Sequence, residues 1–241
     1  MDRAEDILRR MLHKGIMPNC TTYNCILNGY FASGQWMDAV RIFKEMSRDG
    51  PGPDTATCNC LMDNLCKIGR ITNARKIFDS MTKNGHKPNI RTYCVLIHGF
   101  CTIGKWEEVD KLAFEMINRG ICPDSVFFGI VMDNLCKEGR ISEAQKTFDL
   151  MVHAGVKPTV VSYNILIDGY CLHRKMGKAV RLFDHMVAIG LQPDVATCRI
   201  LLNGYCKTGR IDDALALFRE MLCKDVKLSA VTCNIMVQGL F

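Results

Sequence analysis

The sequence predicts an all-α solenoid of stacked helical hairpins, on three observations. The first is a period: six of the seven prolines, Pro18, Pro53, Pro88, Pro123, Pro158 and Pro193, lie 35 residues apart. Met11, Met46, Met81, Met116, Met151, Met186 and Met221 keep the same step, as do Gly15, Gly50, Gly85, Gly120, Gly155 and Gly190. So do Cys66, Cys101, Cys136, Cys171 and Cys206, and four residue types on one step mark a tandem repeat. The second is helical spacing of apolar residues inside each repeat. The third is glycine and proline wherever a helix must stop.

Position 1 is set two residues after each proline. The complete repeats are then 20–54, 55–89, 90–124, 125–159, 160–194 and 195–229. Residues 1–19 form the second half of an earlier repeat and residues 230–241 the first half of a later one, so the chain reads as a section of a longer array. The opening segment MDRAEDILRRMLHKG carries acids and no long apolar run, which fits an amphipathic helix and not a signal or transit peptide.

In the first helix of each repeat, positions 4, 7, 8 and 11 are apolar: Tyr23, Ile26, Leu27 and Tyr30, or Tyr163, Leu166, Ile167 and Tyr170. That is a helical stripe, not a strand's alternation. Glycine at position 15 (Gly34, Gly69, Gly104, Gly139, Gly209) ends the helix by tolerating the left-handed conformation. In the second helix, positions 17, 20, 24 and 27 are apolar: Trp36, Ala39, Phe43 and Met46, or Ile211, Ala214, Phe218 and Met221. Ala at position 20 permits close approach, with Phe and Met filling the space beside it. Glycine at 31 and proline at 34 stop this helix. One hairpin cannot bury both stripes alone, so neighbours must stack. Three places depart: Arg174 replaces a turn glycine, Asp225 and Leu228 stand where glycine and proline are expected, and Val109 and Ala113 replace Ala and Phe, with Phe114 one position later.

Composition narrows the function. With 48% hydrophobic and 23% charged residues the chain is too apolar for disorder. It lacks the run of about 18 apolar residues that a membrane span needs. A formal charge of +6 permits a polyanionic partner without demanding one. The 14 cysteines include no CxxC pair and no histidine at zinc-finger spacing, even around Cys58-Asn59-Cys60. They read as free thiols in a reducing compartment, with no metal and no cofactor. No nucleophile–base constellation can be assembled, so no catalysis is predicted.

The polar residues are the remaining signal. Position 9 is polar throughout, as Asn28, Asp63, His98, Asp133, Asp168, Asn203 and Gln238. Position 5 is Asn at Asn24, Asn59, Asn164 and Asn234, although Asn is unfavourable inside a helix. Position 35 is often Asp or Asn, which a cap for the next helix would explain equally well. Position 13 is Lys67, Lys137 and Lys207, and position 16 is basic as Arg70, Lys105, Arg140, Lys175 and Arg210. These cations either offset a helix dipole or meet phosphates.

The segments TTYNCILNGYFASGQWMDAVRIFKEMSRDGPGPD and VSYNILIDGYCLHRKMGKAVRLFDHMVAIGLQPD resemble pentatricopeptide repeats of the plain 35-residue P class. GQWMDAVRIFKEM and ARKIFDSMTKNG further resemble plant restorer-of-fertility-like members. Tetratricopeptide repeats share the Ala and Phe but repeat at about 34 residues and favour Ala where this chain has Met. The resemblance implies a right-handed superhelix that binds single-stranded RNA sequence-selectively, one base per repeat, without enzymatic activity. It implies a monomer, whose cut array ends could associate, in mitochondria or alternatively chloroplasts. Its work there would be processing, stabilising or translational control of transcripts, beside accessory processing proteins.

The resemblance also assigns residues. Base-reading falls to positions 5 and 35: Asn24 with Asp54, Asn59 with Asn89, Cys94 with Asp124, Gly129 with Thr159, Asn164 with Asp194, Arg199 with Ser229, and Asn234. Base-flanking falls to position 2: Thr21, Ala56, Arg91, Val126, Val161, Ala196 and Val231. Phosphate contact falls to Lys67, Lys137 and Lys207. The implied core is 5′-U, pyrimidine, G or U, any, U, any-3′. A protein–protein scaffold, holding a peptide in the same groove, is the alternative.

Overall fold

The computed structural model of the protein describes residues 2–223 and 230–239. Ser229, Asp225 and Leu228 lie outside the described residues, and so does the side chain of Met221. Among the described residues every regular element is an α-helix. The chain divides into two compact units, residues 1–122 and 123–241. The first unit holds α1 (Asp2–His13), α2 (Cys20–Ala32), α3 (Trp36–Asp49), α4 (Thr55–Lys67), α5 (Ile71–Lys83), α6 (Ile90–Thr102) and α7 (Trp106–Asn118). The second holds α8 (Ser125–Lys137), α9 (Ile141–His153), α10 (Val160–Leu172), α11 (Met176–Ala188), α12 (Val195–Lys207), α13 (Ile211–Cys223) and α14 (Ala230–Gly239).

Within each unit, first helices stack on first helices and each pairs with its own second helix. Thus α4 touches α2, α5 and α6, and α10 touches α8, α9, α11 and α12. The apolar stripes face these contacts: Leu27, Leu61, Leu65 and Leu96 are buried in the first unit, and Leu166, Ile167 and Leu202 in the second. The same joint recurs between hairpins. Phe78 meets Tyr93 edge-on at 5.4 Å, and Phe148 meets Tyr163 edge-on at 5.2 Å, each joining position 24 to position 4 of the next hairpin. Where Val109 and Ala113 break the pattern, Leu112 and Met116 fill the core. Phe114 does not replace the missing Phe; it is 68% exposed.

Glycine at position 15 takes the left-handed turn, for example Gly69 at φ 74° and Gly139 at φ 81°. Arg174 accepts the same conformation at φ 55°, a strain of about 1–2 kcal/mol for a residue with a Cβ. Gly50 departs from its series. It precedes Pro51, which drives it to extended backbone at φ −109°, and Gly52 at φ 76° becomes the left-handed residue.

The recurrent cysteine has a partner that the sequence analysis did not single out. A Cβ placed on Gly99 would lie 2.6 Å from the Cys66 sulfur, and one on Gly169 would lie 2.5 Å from the Cys136 sulfur. Gly204 stands in the same relation to Cys171, at 2.5 Å. Position 12 of one hairpin therefore packs into the vacancy left by glycine at position 10 of the next. Burial pushes the thiols of Cys66, Cys136 and Cys171 up to about 12, which keeps them protonated and inert. Apart from Cys223, whose side chain lies outside the described ones, the cysteines are free.

Gly169→Ala should therefore destabilise the protein by about 1–3 kcal/mol through overpacking. Adding Cys136→Ala to that variant should cost less than the two single changes summed. Denaturant unfolding of the four proteins checks this; strict additivity would remove the contact from the account.

Candidate nucleic-acid interface

The candidate site is built along the N-terminal halves of the first helices. Position 35 is the N-cap of each following helix, with extended backbone, as Asp54, Asn89, Asp124, Thr159 and Asp194. The side chain of Asp54 accepts from the Thr57 amide at 2.7 Å, and that of Asp194 from the Thr197 amide at 2.8 Å. Capping is thus a real role for position 35, and it does not exhaust these side chains. Asp54, Asn89, Thr159 and Asp194 remain exposed.

Position 5 behaves differently from a solvated face. Asn59 is 4% exposed, Asn164 is 8% exposed, and Cys94 and Gly129 are buried too. Asn24 is half-buried, whereas Arg199 and Asn234 are exposed. Burial follows from stacking, because this part of the helix meets the next first helix. In the pairs Asn59 with Asn89, Gly129 with Thr159 and Asn164 with Asp194, position 5 is therefore recessed and position 35 exposed. In one of them the two side chains bond directly: Asn164 Nδ2 donates to Asp194 Oδ1 at 3.2 Å. Asn24 and Asn59 leave their amide oxygens buried without a hydrogen-bond partner. Leaving such an atom unpaired costs about 1–3 kcal/mol.

Position 3 is the residue type that sequence reasoning missed. Thr57, Thr92, Ser162, Thr197 and Thr232 are buried there. Thr92, Ser162 and Thr197 close capping boxes with the preceding position 35. Their recurrence at the 35-residue step was the available signal. Phe127 occupies this position in α8.

Position 2 lies outward: Thr21, Ala56, Arg91, Val126, Val161 and Val231 are exposed and Ala196 is half-buried. Lys67, Lys137 and Lys207 are exposed as well. Lys67 Nζ bonds Asp63 Oδ2 at 2.7 Å, and Lys137 Nζ bonds Asp133 Oδ2 at 2.6 Å. Position 9 therefore tethers position 13 one helical turn on. Asp168, at position 9 of α10, is pushed up from the usual carboxylate range by burial and by Asp133, against the pull of Lys207, Lys137 and Arg199. At position 16 the dipole explanation runs the wrong way, since Arg70, Lys105, Arg140 and Lys175 are N-caps of the second helices. Acids offset the mismatch in places: Arg140 pairs with Glu143 at 2.5 Å and Arg210 with Asp213 at 2.7 Å.

No group of three or more metal-ligating side chains occurs among the described residues. No described helix is long and apolar enough to cross a membrane.

Residues 18–57, 53–102, 123–171, 158–207 and 193–241 match the PPR repeat family. Residues 91–121 match the PPR repeat, and residues 1–32 match the pentatricopeptide repeat domain. The chain belongs to the PPR repeat family. This PPR chain has no match among curated proteins. Among solved structures it is similar to the pentatricopeptide repeat protein PPR10 from maize, with 23% identity over 99% of this chain and a TM-score of 0.56. It is similar at 25% identity and TM-score 0.56 to PPR10 in complex with an 18-nt psaJ RNA element, covering 99% of this chain and 40% of that one. The chain spans 39% of the length of the first PPR10 structure. The PPR domain of Arabidopsis thaliana protein-only RNase P 1, in complex with tRNA, shares the fold at 19% identity, with TM-score 0.57, over 77% of this chain and 98% of that one.

One consequence concerns the caps. Burial pushes the Asp194 carboxyl up, but hydrogen bonds from the Thr197 amide, the Thr197 hydroxyl and the Asn164 amide outweigh it, so the group lies below the ordinary range. A depressed carboxylate stabilises the fold above its unfolded pKa, about 3.9, and that contribution is lost as pH falls through the lower folded value. Asp194→Ala should cost about 1 kcal/mol near neutral pH, the usual worth of an N-cap. Melting curves of the two proteins should converge as the solution is acidified below the carboxylate range. A difference that persists there would mean the carboxylate is not the source.

Proposed function

We propose that this PPR chain binds single-stranded RNA sequence-selectively, one base per repeat, without catalysing a reaction. The observation that carries this reading is the pairing of positions 5 and 35. A recessed amide stands beside a projecting carboxylate, joined in the Asn164–Asp194 hydrogen bond. Unpaired RNA bases expose their Watson–Crick edges to short polar side chains. A carboxylate only accepts, so it suits the N–H of uracil or guanine, while an amide can also donate. The outward position 2, mostly valine and alanine with Arg91, offers packing surfaces beside the bases. The likeness to PPR10, crystallised with an RNA element, supports the same reading.

We assign the repeats 20–54, 55–89, 90–124, 125–159, 160–194 and 195–229 as single-base readers within one array. The proposed target core is 5′-U, pyrimidine, G or U, any, U, any-3′. We further place the chain in the P class, in the restorer-of-fertility-like subgroup. Its setting would be organellar, mitochondrial before chloroplast, in transcript processing, stability or translation, with cleavage left to other factors.

Selection from a random single-stranded RNA pool tests the whole reading, with the proposed core as the enriched motif. A pool that stays unenriched while the protein captures peptides would transfer the groove to the scaffold alternative. One position gives the sharper measurement. Asn24→Thr with Asp54 retained should move preference at the first base from U towards G, on the scale of about 1–3 kcal/mol seen for base-reading pairs. Unchanged preference with intact affinity would refute the assignment of that pair.

The lysines should act through counterion release, so affinity should fall steeply with salt. Replacing Lys67, Lys137 and Lys207 by Ala should weaken matched and mismatched RNA equally and flatten the log–log salt slope by about 0.7 per lost contact. Asp63→Asn with Asp133→Asn frees two of these lysines and should strengthen binding to every RNA. Filter-binding titrations at several salt concentrations decide it; altered discrimination with an unaltered slope would argue against phosphate contact.

A further inference from the structure

The recessed Asn at position 5 raises a problem of orientation. The two ends of a carboxamide are nearly the same shape but opposite in hydrogen-bonding sense. Which end faces a base decides whether the side chain accepts or donates, so a reader of this kind needs something to hold it. At Asn164 the structure contains such a group. Thr197 is fully buried, and its Oγ1 lies 2.7 Å from Asn164 Oδ1. That oxygen already accepts from the Asp194 backbone amide at 3.2 Å, which leaves its proton for an acceptor. Asp194 Oδ1, at 2.9 Å, is the other acceptor in reach, and it also takes Asn164 Nδ2 at 3.2 Å.

This arrangement has one sense. Turning the Asn164 amide over would set its oxygen against the Asp194 carboxylate, a repulsion. It would also exchange the 2.7 Å bond that the Thr197 hydroxyl gives it for a contact in which that hydroxyl must turn its proton to Asp194 and accept from the NH2. We infer that the Thr197 hydroxyl is a positioning group that fixes the amide of Asn164, and that base preference at this repeat depends on it. The inference rests on the RNA-reading proposal above.

The rest of the chain bears on the point. Asn24, Asn59 and Asn164 are each followed, 33 residues on, by a threonine: Thr57, Thr92 and Thr197. Cys94, which has no amide to orient, is followed at that spacing by Phe127. A hydroxyl also follows Gly129 and Arg199, as Ser162 and Thr232, and at Ser162 capping accounts for it. In the first unit Asn24 Oδ1 and Thr57 Oγ1 are both buried and both without a partner, whereas Thr92 Oγ1 bonds Asn89 and Asn59 Oδ1 is left unpartnered. The Asn24 and Thr57 atoms are complementary, one an acceptor and the other a donor.

The test uses the full chain and synthetic single-stranded RNAs carrying the proposed core, with U, C, A or G at the fifth base. Thr197→Val keeps shape and removes the hydroxyl; Thr197→Ser restores it. Discrimination at the fifth base should fall about tenfold in the valine variant, the worth of one hydrogen bond. It should stand near its original value in the serine variant, with discrimination at the first base untouched in both. Equal weakening towards all four RNAs, accompanied only by a lower melting temperature, would assign Thr197 to capping alone and overturn the inference. Thr197→Ala gives the same reading if valine does not fold. Absence of any fifth-base preference in the unsubstituted chain would defeat the base-reading proposal itself, and this inference with it, before any variant is made.

Discussion

Close approach of neighbouring first helices is the constraint on which the remainder of each unit depends. Cysteine at position 12 sits where glycine at position 10 of the next hairpin leaves room, as Cys66 does at Gly99 and Cys136 at Gly169. Interiors are packed densely enough that one added methyl group at such a place is felt. The same proximity buries position 5 and brings it beside position 35 of the same repeat, which is also the cap of the next first helix. The geometry of the proposed reader is a by-product of how the core is packed. Substitutions at the buried cysteines and glycines should therefore be read for their effect on the groove as well as on stability.

Position 35 joins two roles that are usually separate. Asp54 caps through the bond its Oδ1 accepts from the Thr57 amide and Asp194 through bonds gathered on its Oδ1, and both remain exposed at the surface. A substitution made to change base preference therefore also changes a helix cap. Threonine at 159 and asparagine at 89 keep the capping function while altering what is offered to a base. Cap-competent residues with different hydrogen-bonding sense are the natural alphabet for such a position.

Charge along the first helices is balanced and not simply basic. Asp63 and Asp133 hold Lys67 and Lys137 within one turn, at 2.7 and 2.6 Å. Exposed pairs of this kind are worth well under 1 kcal/mol and exchange easily for another anion. The pairing thus leaves the lysines available to a phosphate while limiting indiscriminate attraction to polyanions. Position 16 plays a different part, at the N-termini of the second helices, where nearby acids and rings such as Trp36 beneath Arg70 absorb the charge.

Sequence alone determined the helical hairpin, its 35-residue step and its turns, since periodicity and backbone permissiveness are local properties. Tyr23, Ile26, Leu27 and Tyr30 are buried as their spacing requires, and Gly69 and Gly139 take the left-handed turn. It also displayed the polar candidates at positions 5, 35 and 13, without saying which were recessed, capping or tethered. Those distinctions arise between hairpins. Spacing along one helix does not reveal that Asn164 meets Asp194 and Thr197, thirty and thirty-three residues away, whereas the pairing of Lys67 with Asp63, four residues apart on α4, is itself local. The same limit hid glycine at position 10, whose partner lies on the neighbouring helix. Tertiary structure decided these points because burial and hydrogen-bond partnership depend on which surfaces meet, and a repeat's own sequence fixes only the surfaces it presents.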